Sequence, residues 1–129
     1  MVKIQYASDL HLEFMENTLY LETHPLQPVA DILVLAGDTG YLGDEGFVKH
    51  PFWDWASENF KEVIVIPGNH EFYLGYDLEQ LYDGWCMEIR HNIRCYYNAV
   101  KHLSDDTDLI VSTLWGYIEP QDAFSTERR

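Results

Sequence analysis

The chain has 129 residues, one domain's worth, and is 47% hydrophobic and 15% aromatic, which excludes a disordered chain and allows a modest core. Its 8 basic and 22 acidic side chains give a net charge of -14, which excludes nonspecific attraction to nucleic acid or to an anionic membrane. Cations held in a pocket would reverse that sign locally, so a phosphorylated substrate remains compatible with the charge.

Residues 2–7 read as a strand with Lys3 and Gln5 on its polar face, so "MVKIQYASDL" is not expected to be a secretory leader. Pro25 and Pro28 break the chain before "DILVLAG", a short apolar run suited to a buried parallel strand. "TGYLGDEG" reads as loop. "HPFWDWASENF" predicts a helix from Pro51, with Phe52, Trp55, Ala56 and Phe60 on its core face. "EVIVIPG" is a third strand. "YDLEQLYDGWCMEIRHN", residues 76–92, predicts a helix capped by Asp77, with Leu78, Leu81, Trp85 and Ile89 along one face. "RCYYNAV" and "DLIVSTLWGYI" predict two more strands, and "EPQDAFSTERR" is unpatterned. This order implies an α/β fold with a largely parallel sheet. No apolar run approaches membrane-spanning length, so no membrane partner is expected. Cys86 and Cys95 form neither a metal-type pair nor a disulfide framework, which predicts a reduced, cytoplasmic chain.

Three polar clusters follow the first three strands. In "SDLHLEF", Asp9 and His11 are two residues apart and project to one side of an extended backbone. In "LAGDTG", Gly37 permits close backbone approach and Asp38 projects a carboxylate. In "VIVIPGNHEFY", a buried strand ends in Asn69, His70 and Glu71. Ligands of open α/β sheets gather outside the carboxyl ends of the strands, which would bring these clusters together. Carboxylates, imidazoles and an amide oxygen suit a divalent cation such as Mn, Fe, Zn or Mg. Each cluster alone is commonly turn chemistry. All three in order, each behind an apolar strand, form a much rarer pattern.

Together the blocks "SDLHLEF", "LAGDTG" and "IPGNHEFY" resemble those of the calcineurin-like metallophosphoesterases, with "NAVKHLSDD" and "STLWGYI" similar to later segments of bacterial members. The resemblance implies the amino-terminal part of an α/β/β/α sandwich and a phosphomonoester or phosphodiester substrate. It implies two divalent metal ions, with Asp9 and His11 on the first, Asp38 bridging, and Asn69 on the second. His70 would be the general acid. Glu71 would either support the site or make a loop hydrogen bond.

The sequence also departs from that pattern. It lacks the later isolated histidine and the Gly-His-x-His block, and "GDTGYLGDEG" lacks the arginine of the Ser/Thr protein phosphatases. A general phosphohydrolase is therefore the better comparison. His24, His50, His91 and His102 are assigned structural or surface positions. Residues 1–129 are expected to form a single truncated domain with an incomplete second sheet and weak or no activity. A homo-oligomer through the open second-sheet strand is the expected consequence. The alternative is a non-catalytic metal-binding or self-associating module.

Overall fold

A computed structural model describes residues 1–73 and 80–113. Its elements are β1 (Ile4–Ala7), α1 (Met15–Thr23), β2 (Ile32–Ala36), α2 (Gly46–Lys49), α3 (Pro51–Asn59), β3 (Glu62–Ile66), a 3-10 turn (His70–Phe72), β4 (Trp85–Arg90), β5 (Ile93–Tyr97), β6 (Ala99–Ser104) and β7 (Thr107–Val111). The first sheet has the order β1-β2-β3-β5-β4. Its first four members run parallel, and β4 lies antiparallel on the edge. Strands β6 and β7 form a separate antiparallel pair.

The apolar runs of β2 and β3 follow from burial on both faces. Leu33, Leu35, Val63 and Val65 share a core with Trp53, Ala56 and Phe60. Val34 and Ile64 point the other way and pack with Val111 of β7. Each such side chain contributes about 1.5–3 kcal/mol when fully buried. Helix α3 starts at Pro51, and His50 caps it by accepting a hydrogen bond from Phe52 N at Nδ1, 3.0 Å. Fully buried Trp53 satisfies its indole N–H at the Phe47 carbonyl, 2.6 Å.

Three sequence expectations change. The predicted helix over 76–92 is corrected over its second half, because residues 85–90 form strand β4; residues 74–79 lie outside the described residues. Gly84 takes φ +83°, which no continuing helix allows, and Asp83-Gly84 is a turn signal. Beyond it Trp85, Met87 and Ile89 are the less exposed alternate positions of a strand. His91 accordingly lies in the β4–β5 turn and not at a helix end. "RCYYNAV" is split at Asn98, whose φ of +47° turns the chain from β5 in one sheet to β6 in the other. Of "DLIVSTLWGYI", residues 108–111 are strand and residues 114–118 lie outside the described residues.

Helix α1 buries no residue, so its sequence lacks the apolar stripe that would mark it. Polar bonds tie it to the preceding loop, Asn17 Nδ2 donating to His11 O and Thr18 Oγ1 to Leu12 O, both at 3.1 Å. Among the described residues no helix is long and apolar enough to cross a membrane.

Candidate metal centre

The loops after β1, β2 and β3 meet at the carboxyl end of the first sheet. The β1 and β2 loops continue the strand pairing beyond the sheet: Asp9 N donates to Gly37 O at 3.0 Å, His11 N to Asp38 O at 3.0 Å, and Leu12 N to Thr39 O at 2.8 Å. The β2 and β3 loops pass glycine against glycine. A Cβ on Gly37 would lie 3.1 Å from Gly68 Cα, and one on Gly68 would lie 2.4 Å from Asp38 Oδ1. Only hydrogen at those positions permits the approach.

Asp9, His11 and Asp38 have φ of +58°, +47° and +56°. Left-handed backbone is uncommon outside glycine, and it clusters where a site over-determines the chain. Asn98, in a strand crossover, is the other non-glycine residue with positive φ among the described residues. The result gathers one ligand atom from each of Asp9, His11 and Asp38 within 4.8 Å of one another. His11, Glu13 and His70 form a second such group, sharing His11.

Asn69 sits directly against Asp38. In one setting of its amide, the oxygen faces both Asp38 oxygens at 2.9 and 3.0 Å, and the nitrogen meets Tyr73 Oη at 3.1 Å. In the other, the nitrogen donates to both Asp38 oxygens and the oxygen accepts from Tyr73 Oη. The second setting satisfies both side chains by hydrogen bonds, and rotating the amide would turn its oxygen toward a cation instead. Two carboxylates and an imidazole within 4.8 Å, beside such an amide, fit a divalent ion.

His70 N donates to Asp38 Oδ1 at 2.9 Å, which fixes the histidine beside the carboxylate cluster. Its ring lies edge-on to His11 at 4.4 Å and stacks on Tyr73 at 4.4 Å. All five residues singled out in the sequence thus lie in one place. His24 stacks on Tyr20, His50 caps α3 and His102 faces Asp108. None of these three, nor His91, falls in a group of three metal-type side chains among the described residues.

Two glutamates complete the surroundings. Glu71 is fully buried and accepts four backbone N–H bonds, from Asp38 (2.9 Å) and Gly68 (2.6 Å) at Oε1 and from Thr39 (2.6 Å) and Gly40 (3.1 Å) at Oε2. Burial pushes its carboxyl above the usual value, and the four donors oppose that rise. Glu13 was not singled out in the sequence. Its Oε1 lies 3.0 Å from His11 Nδ1 and 2.8 Å from His70 Nδ1. The i, i+2 spacing of His11 and Glu13 was its one available signal. Burial depresses His11, but the Glu13 hydrogen bond and the charges of Glu13, Asp38 and Asp9 outweigh it and leave the imidazole above 6.5.

A parallel sheet carrying carboxylate, imidazole and amide donors on adjacent loops defines a metal-binding α/β protein. The chain belongs to the calcineurin-like phosphoesterase family, which matches residues 2–120. That is a family of metal-dependent phosphoesterases, and membership implies divalent metal ions. The chain is 32% identical over 133 residues to an uncharacterized protein, L509, of Acanthamoeba polyphaga mimivirus. The match takes in 89% of this chain and 45% of that protein, so the chain spans less than half the length of the curated relative it matches. No solved structure matches the chain.

Proposed function

We propose that this centre serves metal-dependent hydrolysis of a phosphomonoester or phosphodiester. The observation that carries the reading is the convergence of Asp9, His11 and Asp38, all in left-handed backbone, with ligand atoms within 4.8 Å. In this reading Asp9 and His11 hold one ion, Asp38 is shared, and Asn69 offers its amide oxygen to a second. Mn, Fe, Zn and Mg all suit these donors, and manganese is the first to test. When bound, the ions supply the charge that polarises a phosphoryl group and lowers the pKa of water. His70, fixed by its backbone bond to Asp38, donates a proton to the departing alkoxide.

The sequence has four candidate protein ligands and no Gly-His-x-His block, so we propose weak or no turnover by this chain alone. A cytoplasmic setting goes with its two free cysteines, exposed Cys86 and buried Cys95. A second reading, a self-associating module, draws on Val100 and Ile110. These are register partners on β6 and β7, 57% and 78% exposed.

The test is metal stoichiometry together with turnover of bis(p-nitrophenyl) phosphate. The reading expects bound Mn²⁺ that is lost in Asp38→Ala, and slow hydrolysis at most, removed in His70→Ala. A folded chain that takes up no divalent ion would favour the self-associating module. Rapid hydrolysis would overturn the claim of weak activity and leave the site assignment standing.

A further inference from the structure

We infer that Glu13 is a positioning residue that fixes the tautomers of His11 and His70 together, through one carboxylate oxygen. The Glu13 side chain is 3% exposed. Its Oε1 lies within hydrogen-bond distance of both Nδ1 atoms, and its Oε2 is buried with no partner among the described residues. A carboxylate this deep is costly unless it is paired. The two imidazoles are the hydrogen-bond partners that Glu13 has in the described structure.

An ionised carboxylate only accepts hydrogen bonds, so each ring must present a proton at Nδ1. In the neutral imidazole that leaves Nε2 bare. For His11 the bare atom is the one turned toward Asp9, with Nε2 3.6 Å from Asp9 Oδ1. It therefore offers a lone pair to the carboxylate cluster. For His70, Nε2 becomes the position where a proton is gained or given up. A free imidazole favours the opposite tautomer, with its proton on Nε2, so both rings need this restraint.

The geometry explains why one residue serves two. The left-handed backbone at His11 and the turn at residues 12–13 bring the Glu13 side chain back to the His11 ring. The rings meet edge-on at 65°, which lets both Nδ1 atoms approach one oxygen. Glu13 itself touches no reacting atom. Its effect on catalysis rests on the phosphoesterase reading, whereas its effect on the tautomers does not.

The test is long-range ¹H–¹⁵N spectroscopy of the histidines in the metal-free chain, above the pH at which the imidazoles are charged. The wild type is expected to show His11 and His70 both protonated at Nδ1. Glu13→Gln keeps an acceptor oxygen and should keep both patterns. Glu13→Met has the same length and no acceptor, and both rings should shift toward Nε2–H. Mn²⁺ affinity should fall roughly 10- to 100-fold in Glu13→Met and less in Glu13→Gln. Either ring in the Nε2–H form in the wild type overturns the inference, even if the Met variant fails to fold. So does a Met variant in which only one ring, or neither, changes. Correct tautomers without Mn²⁺ uptake would sink the phosphoesterase reading and uphold this one.

Discussion

Glu13 and Glu71 are both buried carboxylates at the same carboxyl end of the sheet, yet they are satisfied in opposite ways. Glu71 takes four backbone N–H groups from two loops, none of which can lose its proton. Glu13 takes two imidazoles, which can. The first arrangement is a fixed clamp. It binds the β2 loop to the β3 loop and so sets where Asp38 stands relative to Asn69 and His70. The second is adjustable, since protons and metal ions both compete for the rings it holds. Stability should therefore reside with Glu71, and ligand response with Glu13.

The largest effect should come from breaking the clamp. Glu71→Ala strands four N–H donors, those of Thr39 and Gly40 buried and those of Asp38 and Gly68 part-buried, and each buried unsatisfied group costs about 1–3 kcal/mol. A loss of roughly 4 kcal/mol or more is expected in urea unfolding, a large part of a typical domain's stability. Glu13→Met should cost under about 1.5 kcal/mol, because it removes a half-paired charge in favour of a side chain that packs. Equal losses for the two variants would erase the distinction. Gly68→Ala tests the clamp from its other side. The new Cβ would lie 2.7 Å from Asp38 N as well as against Oδ1, and that backbone cannot step aside. A loss of roughly 1–3 kcal/mol is expected, with weakened Mn²⁺ binding. A variant with unchanged stability and affinity would show that the two loops are not held this tightly.

These contrasts also explain what the sequence made legible. Strands β2 and β3 could be read because double burial writes them as unbroken apolar runs, and β1 because its polar Lys3 and Gln5 alternate with apolar neighbours. The centre could be read because each polar cluster abuts such a run. Strand β4 was hidden because Leu78, Leu81, Trp85 and Ile89 fall at helical spacing, and the Gly84 turn competes with that pattern from a single position. Helix α1 was hidden because none of its residues is fully buried and Leu21 alone reaches the core from it. Glu13 was hidden for a different reason. Its partner His70 is 57 residues away, and no local pattern announces a side chain whose role depends on a distant ring.

The adjustable side of the comparison predicts a pH response. A metal ion needs neutral His11, whose imidazole is held above 6.5. Mn²⁺ affinity should therefore begin to fall above pH 6.5 as the solution is acidified. The decline should approach tenfold per pH unit for one displaced proton. Calorimetric titration across about pH 8 to 6 measures it, and an affinity flat over that range would remove His11 from the ligand set.

The smallest effect separates His11 from a histidine that only holds structure. At His50, burial lowers the imidazole below 6.5, and the charge of Glu22 only partly offsets it. The cause is visible in its bonds. Nδ1 accepts from Phe52 N, so the proton sits on Nε2 and points to Thr18 Oγ1, which in turn donates to Leu12 O. A second proton would break the cap on α3. The stability His50 contributes is thus present above pH 6.5 and is lost as the pH falls toward its lowered folded value. His11 has the opposite sign: its contribution is present below 6.5 and is lost as the pH rises through its raised value. His50→Asn keeps a capping oxygen and cannot titrate. Melting curves of the metal-free chain at about pH 7.5 and about pH 5.5 should show a shallower acid-side decline in the variant. Identical slopes in the two proteins would mean that His50 tolerates its second proton, and that the bond chain from α3 through Thr18 to the His11 loop is not as fixed as its geometry implies.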